Sequence, residues 1–155
     1  MITTDRHTIR LLEESDSHFI LELLNTEGWL RYIGNRNINS ELDALSYISR
    51  INENPNAVYW VIVLKENQTA IGLVTLIQRD YLEFRDIGFA LLPAYSNQGH
   101  TYEATKAVLA HLNESIAAIT LSENKASIKL IERLGFKFDK IIERENEKLS
   151  LYRTQ

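Results

Sequence analysis

The chain has 155 residues, 45% of them hydrophobic and 25% charged, and a net charge of −4. That balance fits one globular domain spanning residues 1–155 and excludes the basic footprint of a bulk nucleic-acid binder. The absence of cysteine excludes disulfides, a thiol nucleophile and thiolate metal ligands. Met1 to His7 has no apolar leader-type core, and no apolar run approaches the roughly 20 residues of a membrane helix. The expectation is a cytoplasmic protein with neither membrane nor nucleic acid as partner.

In chain order, Thr8 to Leu12 is a short β-prone run and reads as the first strand. Ser15 or Asp16 is placed to cap a helix with Phe19, Ile20, Leu23 and Leu24 at helical spacing. Gly28 to Asn39 reads as a loop with aromatic content, from Trp29 and Tyr32. Ser40 followed by Asp43 resembles a capping box, with Leu45, Ile48 and Ile51 as the helix face and Asn54-Pro55 as its end. Tyr59 to Lys65 and Ala70 to Gln78 read as a hairpin turning at Glu66-Asn67-Gln68.

Arg85 to Leu92 is another strand, closed by Pro93. Thr101 to Leu112 is a helix with Ala104, Ala107, Val108 and His111 on one stripe. A strand at Ile116 to Leu121 and a helix at Asn124 to Leu134, stopped by Gly135, come next. Phe136 to Ile142 and Leu149 to Arg153 close the chain as a hairpin, turning through the charged run Glu143 to Lys148. The order β-α-α-β-β-β-α-β-α-β-β implies an α/β protein with a mixed, partly antiparallel sheet.

Two segments carry the functional signal. In DIGFALLPAYSNQGHTYEA, Asp86 to Ala104, a strand runs through a one-glycine loop into a helix. The free N–H groups and positive dipole end of such a helix suit a phosphate. The second segment is Ser122 to Phe136, SENKASIKLIERLGF. Together they point to a phosphorylated cofactor with chemistry beside it.

In order and spacing these segments resemble the GNAT family of acyl-CoA-dependent N-acetyltransferases, and within it the RimJ/RimL-like branch. The resemblance covers nearly the whole chain. It implies a mostly antiparallel twisted sheet with a splayed pair of central strands, flanked by about four helices. It implies acetyl transfer from acetyl-CoA to a primary amine, directly within a ternary complex. By the same resemblance Gln98, Gly99, His100, Thr101 and Tyr102 hold the CoA phosphates, and Leu91 and Leu92 present backbone to the pantetheine arm. The family's phosphate loop has the form Q/R-x-x-G-x-G/A; here Gly99 keeps the central glycine, while Ser96 and Thr101 replace the first and last positions. Pro93 has no N–H for a neighbouring strand, which agrees with failing sheet pairing beside it.

An amine must be neutral to attack a thioester. A lysine-type amine, with pKa about 10.4, is only about 0.04% neutral at pH 7, so a base helps it most. Asp86 and Glu83, at the entry to the splayed strand, are the candidate bases, against the alternative of a solvated strand end. Asn124 and Ser127 are the candidates on the second helix, with Ser127 on its buried stripe and able to protonate the departing thiolate. Many family members carry a tyrosine near the end of this helix for that purpose, and here the position is Ile131. Trp29, Arg31 and Tyr32 fall in the loop that borders the acceptor site in the family. His7, His18, His100 and His111 lack metal-ligand spacing. The acceptor stays open between a small-molecule amine and a protein N-terminus or lysine, and the assembly between monomer and homodimer. A non-catalytic acyl-CoA-binding or sensor module, and a scaffold that has lost the cofactor, are the rival readings.

Overall fold

The computed structural model describes residues 1–154. Its N-terminal half runs β1 (Ile2–Thr3), β2 (His7–Leu11), α1 (Ser17–Leu23), α2 (Glu27–Tyr32), α3 (Glu41–Glu53), β3 (Ala57–Leu64) and β4 (Ala70–Ile77). The C-terminal half runs β5 (Asp86–Leu91), α4 (His100–Leu112), β6 (Ala117–Leu121), α5 (Lys125–Arg133), β7 (Lys137–Arg144) and β8 (Glu147–Arg153). The described residues form one eight-stranded sheet in the order β1-β2-β3-β4-β5-β6-β8-β7. Every neighbouring pair is antiparallel except β5 and β6. The expected class, a mostly antiparallel mixed sheet with a splayed central pair, is the one observed, with five α-helices.

Strand β3, AVYWVIVL, shows why the sheet has a core on each face. Trp60, Ile62 and Leu64 point into a core shared with Val108 of α4 and Ile131 of α5. Tyr59, Val61 and Val63 alternate to the other face, against Ile20 and Leu23 of α1 and Tyr47 and Ile48 of α3. A central strand covered on both faces reads as an unbroken apolar run.

Several local expectations are corrected. Residues 28–39 are not all loop: Thr26 Oγ1 accepts the Trp29 N–H and starts α2, where Trp29 buries its ring. Asp16 stands at the N-cap of α1 but makes no side-chain bond to it; its carboxylate accepts the Glu13 N–H and two N–H groups of Arg10. In α3 the buried face is Ala44, Tyr47 and Ile48, with Leu45 and Ile51 half-buried. The Ser40 hydroxyl caps it by accepting the Asp43 N–H at 3.1 Å, while the Asp43 carboxylate accepts from Asn39 rather than from Ser40. On α4 the buried positions are His100, Ala104, Thr105 and Val108, and His111 faces solvent. No helix among the described residues is long and apolar enough to cross a membrane.

Candidate active site

Strands β5 and β6 pair at a single position, Asp86 with Ala117. The Ala117 N–H donates to the Arg85 carbonyl at 2.8 Å. Two residues further along β6 the Ile119 N–H donates instead to Asp86 Oδ1, at 3.3 Å. A carboxylate therefore takes the donor that a continuing ladder would have used, and beyond it the strands part. On its other edge β5 stays paired with β4, where the Leu92 N–H reaches the Ile71 carbonyl at 2.8 Å. Strand alternation then turns the backbone groups of Phe89 and Leu91 toward the gap. The gap opens into a cleft of about 810 Å³.

At one end of the cleft is the start of α4. Gly99 caps it at φ +80°, a left-handed conformation that suits glycine. Glu103 donates its N–H to the Gly99 carbonyl, so the N–H groups of His100, Thr101 and Tyr102 precede the first helical bond. Ser96 and Thr101 line the cleft here. The loop is held from behind by the N-terminal strands. Arg6 donates to the Gln98 carbonyl at 2.9 Å and pairs with Glu103 at 2.8 Å. Burial pushes the Glu103 carboxyl up, but hydrogen bonds from Thr4 and Arg6 outweigh it and hold the pKa at about 2.

Across the gap, Asn124 caps α5 by accepting the Ser127 N–H at 3.3 Å, and Asn124 and Ser127 both line the cleft. Ile131 sits further along the helix, 1% exposed.

At the other end is Asp86, 4% exposed, with Arg79 Nε donating to its Oδ2 at 2.9 Å. Burial raises its pKa to about 6, although Arg79 and the Ile119 N–H pull it down. A carboxylate poised there suits proton acceptance near neutral pH. Arg79, Tyr59 and Trp29 form the walls of this end.

A family model for the acetyltransferase (GNAT) domain matches residues 6–137. The chain belongs to the GNAT acetyltransferase family. It is 27% identical to YnaD, an uncharacterized N-acetyltransferase of Bacillus subtilis, over 94% of this chain and 90% of that one. In fold it is similar to the ribosomal-protein-S5-alanine acetyltransferase of Vibrio fischeri, at TM-score 0.80 and 19% identity over 98% and 94% of the two chains. It is equally similar to the spermidine N-acetyltransferase of Vibrio cholerae, solved with CoA and spermine, at TM-score 0.80 and 20% identity over 97% and 95%.

The cleft gathers five of the ten residues expected from the sequence. Asp86, Leu91, Thr101, Asn124 and Ser127 all line it. Ser127 is half-buried and faces the cleft rather than the core. Five expected residues have side chains outside the lining of the cleft. Leu92 does not face the gap: its N–H is used by β4 and its side chain is 6% exposed in the core. The His100 ring turns inward, with Nδ1 2.8 Å from His7 Nε2 and Nε2 3.3 Å from Gln98 Oε1, so toward the cofactor it offers its backbone N–H. The Gln98 side chain folds back to the Ala94 carbonyl, and the Tyr102 ring lies 3.9 Å under the Arg133 guanidinium. Glu83 lies in an exposed bend before β5, outside the cleft lining.

Arg36, Tyr59, Arg79, Tyr81 and Arg144 were not expected at the site, yet all border it. Arg79 had a signal. In an antiparallel pair with Ile77 opposite Asp86, a residue two beyond Ile77 comes near that carboxylate. The others come from separate elements, and no local pattern marks them.

Proposed function

We propose that this chain is an acetyl-CoA-dependent N-acetyltransferase that transfers acetyl to a primary amine directly, in a ternary complex. The observation that carries the reading is the parting of β5 and β6 at a buried carboxylate, on a strand edge that leads to the Gly99-capped helix. The residues fit the cofactor: Phe89 and Leu91 offer unpaired backbone along the gap, and the N–H groups of His100, Thr101 and Tyr102 offer donors to phosphate. Acetyl-CoA, when bound, supplies the acetyl group as a thioester.

The rest falls to side chains and backbone. Asp86 accepts the amine's proton, directly or through water, while Arg79 holds its orientation. A backbone N–H of Phe89 or Leu91 is placed to stabilise an oxyanion at the gap. Ser127, or a water bound to it, returns a proton to the departing thiolate. No covalent enzyme intermediate is invoked, because the cleft holds no cysteine and no Ser-His-Asp arrangement. The motifs DIGFALLPAY and NKASIKLIERLGF favour the RimJ/RimL-like branch.

Release of CoA on adding amines, with acetyl-CoA present, tests this reading. One observation favours a second one, a non-catalytic acyl-CoA-binding module: the position of the usual tyrosine acid holds Ile131, buried in the core. Thermal stabilisation by acetyl-CoA without turnover of any amine would select that module.

A further inference from the structure

Resting on the acetyltransferase reading, we infer that the acceptor amine also carries an oxyanion, a carboxylate or a phosphate, and that Arg36 and Arg144 recognise it. Three guanidinium groups, of Arg36, Arg79 and Arg144, border the cleft. Arg79 is committed to Asp86. Arg36 and Arg144 have no carboxylate partner among the described residues. Arg36 is exposed, on the segment between α2 and α3. Arg144 lies with its guanidinium 3.9 Å from the Tyr81 ring centre, so its planar face is stacked while its N–H edge is free to donate.

A third donor points the same way. Trp29 also lines the cleft, and its Nε1 is buried with no hydrogen-bond partner. Buried donors are nearly always paired, so this unpaired indole N–H leaves the polar lining of the cleft short of an acceptor. The carboxylates lining the cleft are Asp86, Glu145 and Glu147. Asp86 is neutralised by Arg79, and the two glutamates are exposed at the β7–β8 turn, where Glu147 stands opposite Arg144 in register. Nothing comparable offsets Arg36. A polycation would therefore meet like charge at the inner wall, whereas an oxyanion would meet forked donors and an aromatic surface.

The test is the initial rate of CoA release with matched acceptors: an α-amino acid and its amide, phosphoethanolamine and ethanolamine, and spermidine. It is run near pH 9, and each rate is divided by the neutral fraction of its amine at that pH, because lysine-like amines are still only about 4% neutral there. The anionic member of at least one pair should exceed its neutral partner in kcat/KM by about tenfold or more, the value of one charge-assisted hydrogen bond. Whichever pair shows the larger ratio separates carboxylate from phosphate. Arg36→Met should collapse that ratio toward one, and Arg144→Met should lower it, each with melting temperature checked. Equal rates within both pairs, or spermidine as the best acceptor, would overturn the inference and leave acetyl transfer standing. A ratio unchanged in both variants would overturn the assignment to these arginines. No turnover with any amine would remove the acetyltransferase reading and this inference with it.

Discussion

Asp86 accepts the Ile119 N–H with one carboxylate oxygen and the Arg79 guanidinium with the other. One side chain thus ends the pairing of β5 with β6 and faces the cleft that opens there. This double role makes Asp86 the first residue to test. Asp86→Asn keeps the shape and removes proton acceptance. At neutral pH the transfer rate should fall by about 10²–10⁴-fold, the usual worth of a general base, with acetyl-CoA affinity nearly unchanged. The loss should shrink as pH rises and the amine deprotonates unaided. A drop below about threefold at neutral pH, far short of that range, would remove Asp86 from the base role.

The same residue has a signature in stability. Burial raises the Asp86 pKa from 3.8 to about 6, so the folded chain binds this proton more tightly than the unfolded one. The sign follows from linkage: Asp86 adds stability below about pH 4, and the addition is lost as pH rises through 6. Asp86→Asn cannot titrate. Relative to the variant, wild type should gain stability as pH falls from 7 to 4, read from urea midpoints. A constant difference across that window would mean that Asp86 is solvated and ordinary.

His7 and His100 act in the opposite direction. Their rings lie 2.8 Å apart, 0% and 5% exposed, and burial lowers both pKa values. Stability from keeping these rings neutral is complete above about pH 6.5 and is lost as pH falls toward their folded values. Each tenfold loss of proton affinity is worth about 1.4 kcal/mol. His100→Gln should flatten this acid-side decline, measured by thermal melts from pH 7.5 to 5. An unaltered slope would show that the pair does not titrate with unfolding.

Saturating acetyl-CoA should raise the melting temperature. At a hundredfold excess over Kd the gain is about 2.7 kcal/mol. For a chain of this size that corresponds to roughly 5–10 °C. Free acetate should give no shift, and an equal absence with acetyl-CoA would exclude the cofactor.

Gly99→Val should weaken CoA binding more than Ser127→Ala. Gly99 sits at φ +80°, where a β-branched residue is strained, and its Cβ would come 3.4 Å from the Arg6 guanidinium. Ser127→Ala removes at most one hydroxyl bond, worth about 1 kcal/mol. Calorimetric titration giving the reverse order would move the phosphate site away from the start of α4.

Most of the fold was legible because it is written in local patterns. The apolar β-prone run of β3, the cap of α3 and the strand–glycine–helix unit at Gly99 depend on neighbours a few residues away. The sequence by itself determined the element order apart from β1 and α2, the family resemblance, and Asp86, Gly99, Asn124 and Ser127 as candidates. Residues 28–39 were misread because a six-residue helix such as α2 is stabilised by burying Trp29 against other elements, not by its own propensity. Only the tertiary structure decided that Leu92 pairs with β4, that the His100 ring meets the buried His7 ring, and that Arg36 and Arg144 border the same cleft. The physical reason is separation along the chain. Arg36 and Arg144 come from distant segments, His7 and His100 from opposite halves, and such contacts arise from sheet order and packing, which no short-range pattern encodes.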